Sequence, residues 1–168
     1  PTWPRIPSVL VKANDNSAPL PEWAKPLLLP HQPPVVLAAV DSLNEFGVFV
    51  DASEMGLGKT YVAAVAARIL SPPKTLVVCP KTIIPTWNRV AAGIGVNIDA
   101  INYELVRTGR TPFGVWNKDK KTKNPVFQWK LPEDSLIIFD EAHRLGGMDT
   151  QNSRLLIGAA QQGYKISL

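Results

Sequence analysis

The stretch 51–60 holds residue types that could bind a phosphate group. It reads Asp-Ala-Ser-Glu-Met-Gly-Leu-Gly-Lys-Thr, follows a short apolar run at 48–50 and precedes an alanine-rich run at 61–70. Gly56 and Gly58 let the backbone curl without a Cβ clash, so several N–H groups can point at one anion. A helix that begins beside them adds its free N–H groups and its positive dipole end. This order of strand, glycine turn and helix predicts a phosphate-binding loop.

Two side chains of this loop are expected to act on a bound nucleotide. Lys59 would reach the β and γ phosphates, and the Thr60 hydroxyl would ligate Mg²⁺. The residues predicted to contact the nucleotide are Glu54, Met55, Gly56, Leu57, Gly58, Lys59 and Thr60. The general pattern has glycine at the position of Ser53, so the chain departs from it at one residue. The alternative interpretation is an ordinary glycine turn followed by a chance Lys-Thr pair.

A second candidate feature is the acidic pair Asp140 and Glu141, which follows the most apolar run of the chain, 135–139. A carboxylate at the end of a buried strand is costly unless something at the sheet edge needs it. Asp140 could hold the Mg²⁺ shell, directly or through water. Glu141 could orient and deprotonate an attacking water. The alternative of two exposed turn carboxylates is disfavoured because a phosphate loop lies upstream.

The elements that must position these residues alternate between strands and helices. Strands are predicted at 48–50, 75–79, 96–102 and 135–139, and a last strand is predicted to begin at Tyr164. Helices are predicted at 33–43, 61–70, 83–91 and 152–161. Asp149 or Thr150 is expected to cap the last helix. This alternation predicts an α/β fold with a mostly parallel sheet and helices on both faces. Ligands of such folds bind at the carboxyl ends of the strands.

The domain organisation is predicted to be one compact unit, 22–168, preceded by an arm, 1–21. The arm is rich in Pro, Asn, Asp and Ser, with one short apolar piece at 6–11 that could form an edge strand. The chain has no initiator Met and stops inside a predicted strand, so it is interpreted as part of a longer protein.

Composition excludes several classes of protein. A hydrophobic content of 45% supports a core, and the single Cys79 suits a reducing, intracellular compartment, whether cytoplasmic or DNA-associated. Two histidines and one cysteine argue against a structural zinc site. No apolar run approaches the roughly 18 residues that a membrane span needs, so no membrane partner is expected.

The segment 107–130 breaks the alternation of strands and helices. Its basic residues are Arg107, Arg110, Lys118, Lys120, Lys121, Lys123 and Lys130, against one acid, Asp119. Its aromatic residues are Phe113, Trp116, Phe127 and Trp129. The lysines at 118, 120, 121 and 123 could neutralise the phosphates of DNA while the aromatics stack on bases. The segment could equally be a solvated insertion whose aromatics anchor it to the domain.

Several motifs resemble one protein family. The sequence Asp140-Glu-Ala-His143 resembles the DEAH form of motif II in superfamily 2 helicases and translocases. The stretch 52–60 resembles motif I of the Swi/Snf-type branch, A-D-E-M-G-L-G-K-T, with serine in place of aspartate at one position. The segments 79–87 and 101–104 are similar to motif Ia and the region of motif Ib, and Leu29-Pro-His-Gln32 is similar to the adenine-reading Q element, although prolines follow it.

The resemblance covers roughly 27–168 and implies a first RecA-like lobe that uses ATP and Mg²⁺. It implies that Gln32 reads adenine and that His143 couples the nucleotide site to motif III, which would follow where this sequence ends. It further implies a second lobe, absent from this chain, that carries the arginine fingers. The expected activity is that of a DNA-dependent ATPase, either a helicase or a double-stranded DNA translocase.

Two other classes of protein are alternatives to such an ATPase lobe. A small GTPase would need an Asn-Lys-x-Asp guanine reader, and the nearest match, 117–120, has lysine where the acid must be. A nucleic-acid-binding module without turnover of its own stays open as the alternative function.

Overall fold

The computed structural model describes residues 18–52, 58–119, 124–141 and 150–168. Its strands are β1 (Val48–Phe49), β2 (Thr75–Cys79), β3 (Asp99–Asn102), β4 (Gly114–Lys118), β5 (Pro125–Trp129), β6 (Leu136–Phe139) and β7 (Lys165–Ser167). Its helices are α1 (Pro33–Glu45), α2 (Lys59–Leu70), α3 (Ile84–Ile94), α4 (Tyr103–Arg107) and α5 (Gln151–Gln161). Short 3₁₀ turns occupy Lys25–Leu27 and Lys81–Ile83.

Five strands form one parallel sheet in the order β1-β7-β6-β2-β3. The central strands β2 and β6 are buried along their whole length, as their continuous apolar sequences require of strands covered on both faces. Their register pairs Val77 with Ile138. The predicted α/β fold with a parallel sheet is confirmed.

The two faces of the sheet carry separate hydrophobic cores. Alternate residues of β2 and β6, such as Val77 and Ile138, pack with α1, α2 and α3. The residues between them, such as Val78 and Phe139, pack with α4, α5 and β5 on the opposite face. Because side chains of a strand alternate between faces, these two strands anchor both outer layers, and the domain has three layers.

The helix ends follow local chemistry. Pro33 and Pro34 lie in the first turn of α1, where a backbone N–H has no partner to lose. Gly95 ends α3 in the left-handed conformation, and the helix extends to Ile94, beyond the predicted 83–91. Strand β3 correspondingly begins at Asp99, later than the predicted 96. Thr150 is the cap of α5, since its hydroxyl accepts from the Ser153 amide. No helix within the described ranges combines the length and apolarity needed to cross a membrane.

An antiparallel hairpin of β4 and β5 occupies the basic segment, and sequence reasoning did not predict it. Phe127 and Trp129 are buried in the second core, with ring centroids 4.7 Å apart, and Trp129 also meets Phe139 edge-on. Helix α5 approaches β5 closely, because a Cβ on Gly158 would stand 2.3 Å from the Phe127 carbonyl oxygen. Both aromatics of β5 therefore anchor the hairpin and are not available for stacking on bases.

Candidate nucleotide site

A cleft of about 610 Å³ opens at the carboxyl ends of β1, β6 and β7. Lys59 and Thr60, at the start of α2, line one part of it, and Asp140 and Glu141, directly after β6, line another. The sheet therefore brings together two groups of predicted site residues that are far apart in the sequence. Their meeting at this edge is what a parallel α/β sheet requires of a ligand site.

The loop before α2 is shaped by Gly58, whose φ is +80°. This conformation favours glycine, and a Cβ here would also stand 2.4 Å from Nε2 of Gln32, whose side chain would have to shift. The Lys59 ammonium donates to the carbonyl oxygen of Asp51 at 2.9 Å. The predicted contacts Glu54, Met55, Gly56 and Leu57 lie outside the described residues.

Gln32 is buried against this loop, with 2% of its surface exposed. Its Oε1 accepts from the Leu29 amide at 2.8 Å, and its Nε2 donates to the Gly58 carbonyl at 3.3 Å. The side chain thus ties the turn at 29–32 to the start of α2. Gln32 is not among the described residues that line the cleft. Reading of the adenine edge stays a prediction, and it would require the amide to exchange or share one of these hydrogen bonds.

Asp140 is held by three donors. The indole Nε1 of Trp87 donates to its Oδ2 at 2.7 Å, and the Glu141 amide donates to its Oδ1 at 2.9 Å. The Tyr103 hydroxyl donates to its carbonyl oxygen at 2.8 Å. Sequence reasoning gave Trp87 and Tyr103 no role, although both lie in segments similar to known motifs. The sequence shows that each of these side chains, which carry an N–H or O–H donor, follows β2 or β3. That they bond Asp140 follows only from the strand order.

Glu141 occupies the left-handed region of the backbone, with φ of +60°. For a residue with a side chain this conformation costs about 1–2 kcal/mol. It accompanies the abrupt turn that follows β6, in which the Glu141 amide reaches back to Oδ1 of Asp140. Strain of this kind persists where the surroundings hold the backbone, and the Tyr103 hydroxyl does so beside Glu141 by donating to the Asp140 carbonyl.

The donor set of the cleft fits Mg²⁺ bound together with a nucleotide. Within the described residues, no group of three or more His, Cys, Asp or Glu side chains could hold a metal ion by itself. Mg²⁺ keeps several waters and binds through one or two carboxylates together with substrate phosphates. The Thr60 hydroxyl and the Asp140 carboxylate both line the cleft and could supply such ligands. The predicted site residue His143 lies outside the described residues.

Cys79 ends β2 inside the first core and is fully buried. Burial first, and the nearby Asp140 charge second, raise the pKa of its thiol from 9.0 to about 12. The neutral thiol is therefore the form that the fold favours.

We expect Cys79 to resist alkylation by iodoacetamide at pH 8 until the chain unfolds. The folded pKa lies above the unfolded value, so the contribution of this thiol to stability is complete below about pH 9 and is lost between about pH 9 and about pH 12. Mass spectrometry of native and urea-treated chain would measure the labelling. Equal labelling rates in both states would contradict the buried position.

A second cleft, of about 360 Å³, lies beside the hairpin and is lined by Arg107, Trp116, Pro125, Gln151 and Arg154. The Arg154 guanidinium donates to the Pro125 carbonyl at 3.1 Å, and the Trp116 indole donates to the Arg107 carbonyl at 2.7 Å. Of the four lysines predicted to contact DNA, Lys118 is described and exposed at the end of β4. Lys120, Lys121 and Lys123 lie outside the described residues.

No protein-family model matches the chain. A protein of Acanthamoeba polyphaga mimivirus, provisionally named an ATP-dependent RNA helicase, is 37% identical over 172 aligned residues. The alignment covers 94% of this chain, and the chain spans about 30% of the length of that relative. Together with the α/β fold and the composition of the cleft, this similarity supports a helicase-type family for the chain.

Proposed function

We propose that this chain is the ATP-binding lobe of a DNA-dependent ATPase that uses ATP hydrolysis to move along DNA or to separate its strands. The observation that carries the proposal is the shared cleft, in which Lys59 and Thr60 of the phosphate loop lie with Asp140 and Glu141 of the acidic pair. Neither pair alone identifies a nucleotide site. Their convergence at the carboxyl edge of one parallel sheet is the expected arrangement for binding and hydrolysing a nucleoside triphosphate.

Each of these residues has a chemical role in the proposal. The Lys59 ammonium would exchange the Asp51 carbonyl for the β and γ phosphates. Thr60 and Asp140 would hold Mg²⁺, which supplies positive charge to the phosphate oxygens when it is bound. Glu141 would orient a water and accept its proton as the oxygen attacks the γ phosphorus. The bond from that phosphorus to the bridging oxygen then breaks, and ADP leaves with the bonding electrons.

The choice of DNA rests on the resemblance of the phosphate loop to the Swi/Snf-type motif. The name of the mimivirus relative refers to RNA, so the two nucleic acids must be compared directly. The surface expected to contact either of them is the basic hairpin with its arginine-lined cleft. Phosphate contacts from such residues are largely independent of base sequence.

Calorimetric titration of the chain with ATP tests the nucleotide site directly. We expect saturable binding of one ATP per chain, tighter with Mg²⁺ than with EDTA. Absence of saturable binding under both conditions would overturn the proposed function.

Replacing Gln32 with alanine is expected to erase a preference for ATP over GTP. A site that hydrogen-bonds one base edge leaves polar groups unpaired against another, and one neutral hydrogen bond is worth about 0.5–1.5 kcal/mol, roughly two- to tenfold in affinity. Competition binding measures the ratio of ATP affinity to GTP affinity in Gln32→Ala. Gln128→Ala is the control, since it alters a hairpin glutamine whose side chain accepts a hydrogen bond from Asn117. Equal affinity of the wild-type chain for both nucleotides would refute adenine reading by Gln32.

Neutralising the hairpin lysines together is expected to weaken nucleic-acid binding and flatten its salt dependence. The variant carries glutamine at 118, 120, 121 and 123. Each lost phosphate contact should reduce the slope of log affinity against log salt by about 0.7 for single strands or about 0.9 for duplex DNA. Fluorescence anisotropy with matched DNA and RNA oligonucleotides measures both slopes.

A control for this variant removes lysines that already pair with acids. Lys25, Lys74 and Lys165 contact Glu22, Asp99 and Asp134, respectively. Their replacement by glutamine should leave the slope unchanged. If the hairpin variant also keeps the wild-type slope, the hairpin is a solvated insertion.

A further inference from the structure

The indole of Trp87 is aimed at the acidic pair from within the core. Its side chain is among the largest fully buried ones, with 1% of the residue's surface exposed. It lies on α3, the helix that follows β2, and it packs in the first core with Val90 and Ile94. An indole has one N–H donor and no acceptor. Here that donor is used on the carboxylate of Asp140, at 2.7 Å.

Each carboxylate oxygen of Asp140 accepts a hydrogen bond from the protein and could also contact a ligand. An ionised carboxylate has about four acceptor positions on its two oxygens. Trp87 occupies one position on Oδ2 and the Glu141 amide occupies one on Oδ1. Since each oxygen is held by a different donor, the rotation of the carboxylate about its side-chain bond is restricted. The hydrogen bonds from the described residues leave one further acceptor position on each oxygen, toward which a cation or its water could be directed.

The indole is suited to this task because its own position is fixed. A buried ring packed in a core has few rotamers, so its N–H direction is set before any ligand binds. Tyr103 fixes the main chain at the same place by donating to the Asp140 carbonyl. Trp87 follows β2, which pairs with β6, and Tyr103 follows β3, the next strand beyond β2. Two of the donors on Asp140 thus come from elements other than its own strand.

We propose that Trp87 is a positioning residue that orients the Asp140 carboxylate toward nucleotide-bound Mg²⁺. This inference rests on the proposed function, since it takes Asp140 as part of the Mg²⁺ site. Trp87 also lines the cleft, but its one donor is used on Asp140. It acts through Asp140, in the way that outer hydrogen bonds orient metal-binding side chains.

The first test replaces Trp87 with phenylalanine, which keeps an aromatic ring and removes the donor. ADP binding is measured calorimetrically as a function of MgCl₂ concentration. We expect the Mg²⁺ concentration at half-maximal enhancement to rise about 10- to 100-fold, the usual effect of losing such an outer partner. ADP affinity in EDTA should stay at the wild-type value, because no phosphate contact is removed.

Trp129→Phe is the matched control. Trp129 is also buried, and its indole also donates one hydrogen bond, to the Leu155 carbonyl at 3.0 Å. The same chemical change there should leave the Mg²⁺ midpoint unchanged. If both variants shift the midpoint equally, the effect is general loss of core packing and the inference is wrong.

The second test does not depend on the folding of Trp87→Phe. Indole N–H resonances are recorded by ¹⁵N-edited NMR, and Asp140→Ala is expected to move the Trp87 resonance while that of Trp129 stays in place. In the wild-type chain, addition of Mg²⁺ with ADP should move the Trp87 resonance more than ADP in EDTA. An unmoved Trp87 resonance in both experiments would overturn the inference.

The two tests separate the inference from the proposed function. A wild-type chain that binds ADP with no Mg²⁺ enhancement overturns the Mg²⁺ site and the inference built on it. A wild-type chain with Mg²⁺ enhancement and a Trp87→Phe variant with the same midpoint leaves the function standing and removes Trp87 from it.

Discussion

The 168-residue chain is expected to bind ATP without turning it over appreciably, even when DNA or RNA is present. Charge that develops on the γ-phosphoryl group needs stabilisation from more than one side. Among the described residues that line the nucleotide cleft, Lys59 is the one basic side chain. Arg154 lines the second cleft, beside the hairpin, and Arg144 lies outside the described residues.

The rate enhancement that a second cation at the γ phosphate would add is large. An arginine supplied to the γ phosphate is worth on the order of 10³–10⁵ in rate. The resemblance to two-lobed translocases predicts that the downstream part of a longer protein supplies it. Steady-state ATPase assays should therefore detect nucleic-acid-stimulated turnover in a longer protein that includes a second lobe, and little in this chain.

Glu141→Gln in the longer protein should then abolish turnover while retaining ATP binding. Loss of a general base costs typically 10²–10⁴ in rate. Glu133→Gln is the control, since Glu133 is an exposed acid before β6, at the opposite end of that strand from Asp140. Strong nucleic-acid-stimulated hydrolysis by the 168-residue chain would show that the catalytic cation lies within it. Binding without turnover in the longer protein would identify a nucleic-acid-binding module instead.

The second large effect is expected from Lys59→Ala, which should weaken ATP binding by roughly 10- to 100-fold. The ammonium donates to the Asp51 carbonyl, and that neutral partner can be exchanged for a phosphate. A hydrogen bond to a charged group is worth about 1.5–3 kcal/mol, which corresponds to this range in affinity. Calorimetric titration measures the loss.

Lys165→Ala removes the same charge at the amino end of β7, where the lysine pairs with Asp134. It should bind ATP like the wild-type chain. Unchanged titrations in Lys59→Ala would show that the loop before α2 is not the phosphate site.

The positions of most helices and strands could be predicted from the sequence, because their signals are local. The continuous apolar runs at 75–79 and 135–139 specify strands buried on both faces, and β2 and β6 are such strands. The glycine turn before 61–70 indicated a helix, which begins at Lys59. Lys59, Thr60, Asp140 and Glu141 were identified as site candidates because their types and spacing carry their chemistry.

The hairpin was missed because its charged residues obscured a weaker pattern. Exposure alternates over the last three residues of β5, where Phe127 and Trp129 are buried and Gln128 is exposed. That period of two is the mark of a strand covered on one face. The five residues of α4 are too few to show a helical period, although Asn102 caps the helix by accepting from the Leu105 amide.

The site's supporting hydrogen bonds were decided by the tertiary structure. Trp87 and Tyr103 reach Asp140 because β6, β2 and β3 are neighbours in the sheet, and Gln32 reaches Gly58 because the turn before α1 packs against the start of α2. Sequence patterns report which faces of each element are buried, but many strand orders bury the same faces. The strand order also depends on long-range packing and on hydrogen bonds to buried donors. Both connect residues that are far apart in the sequence.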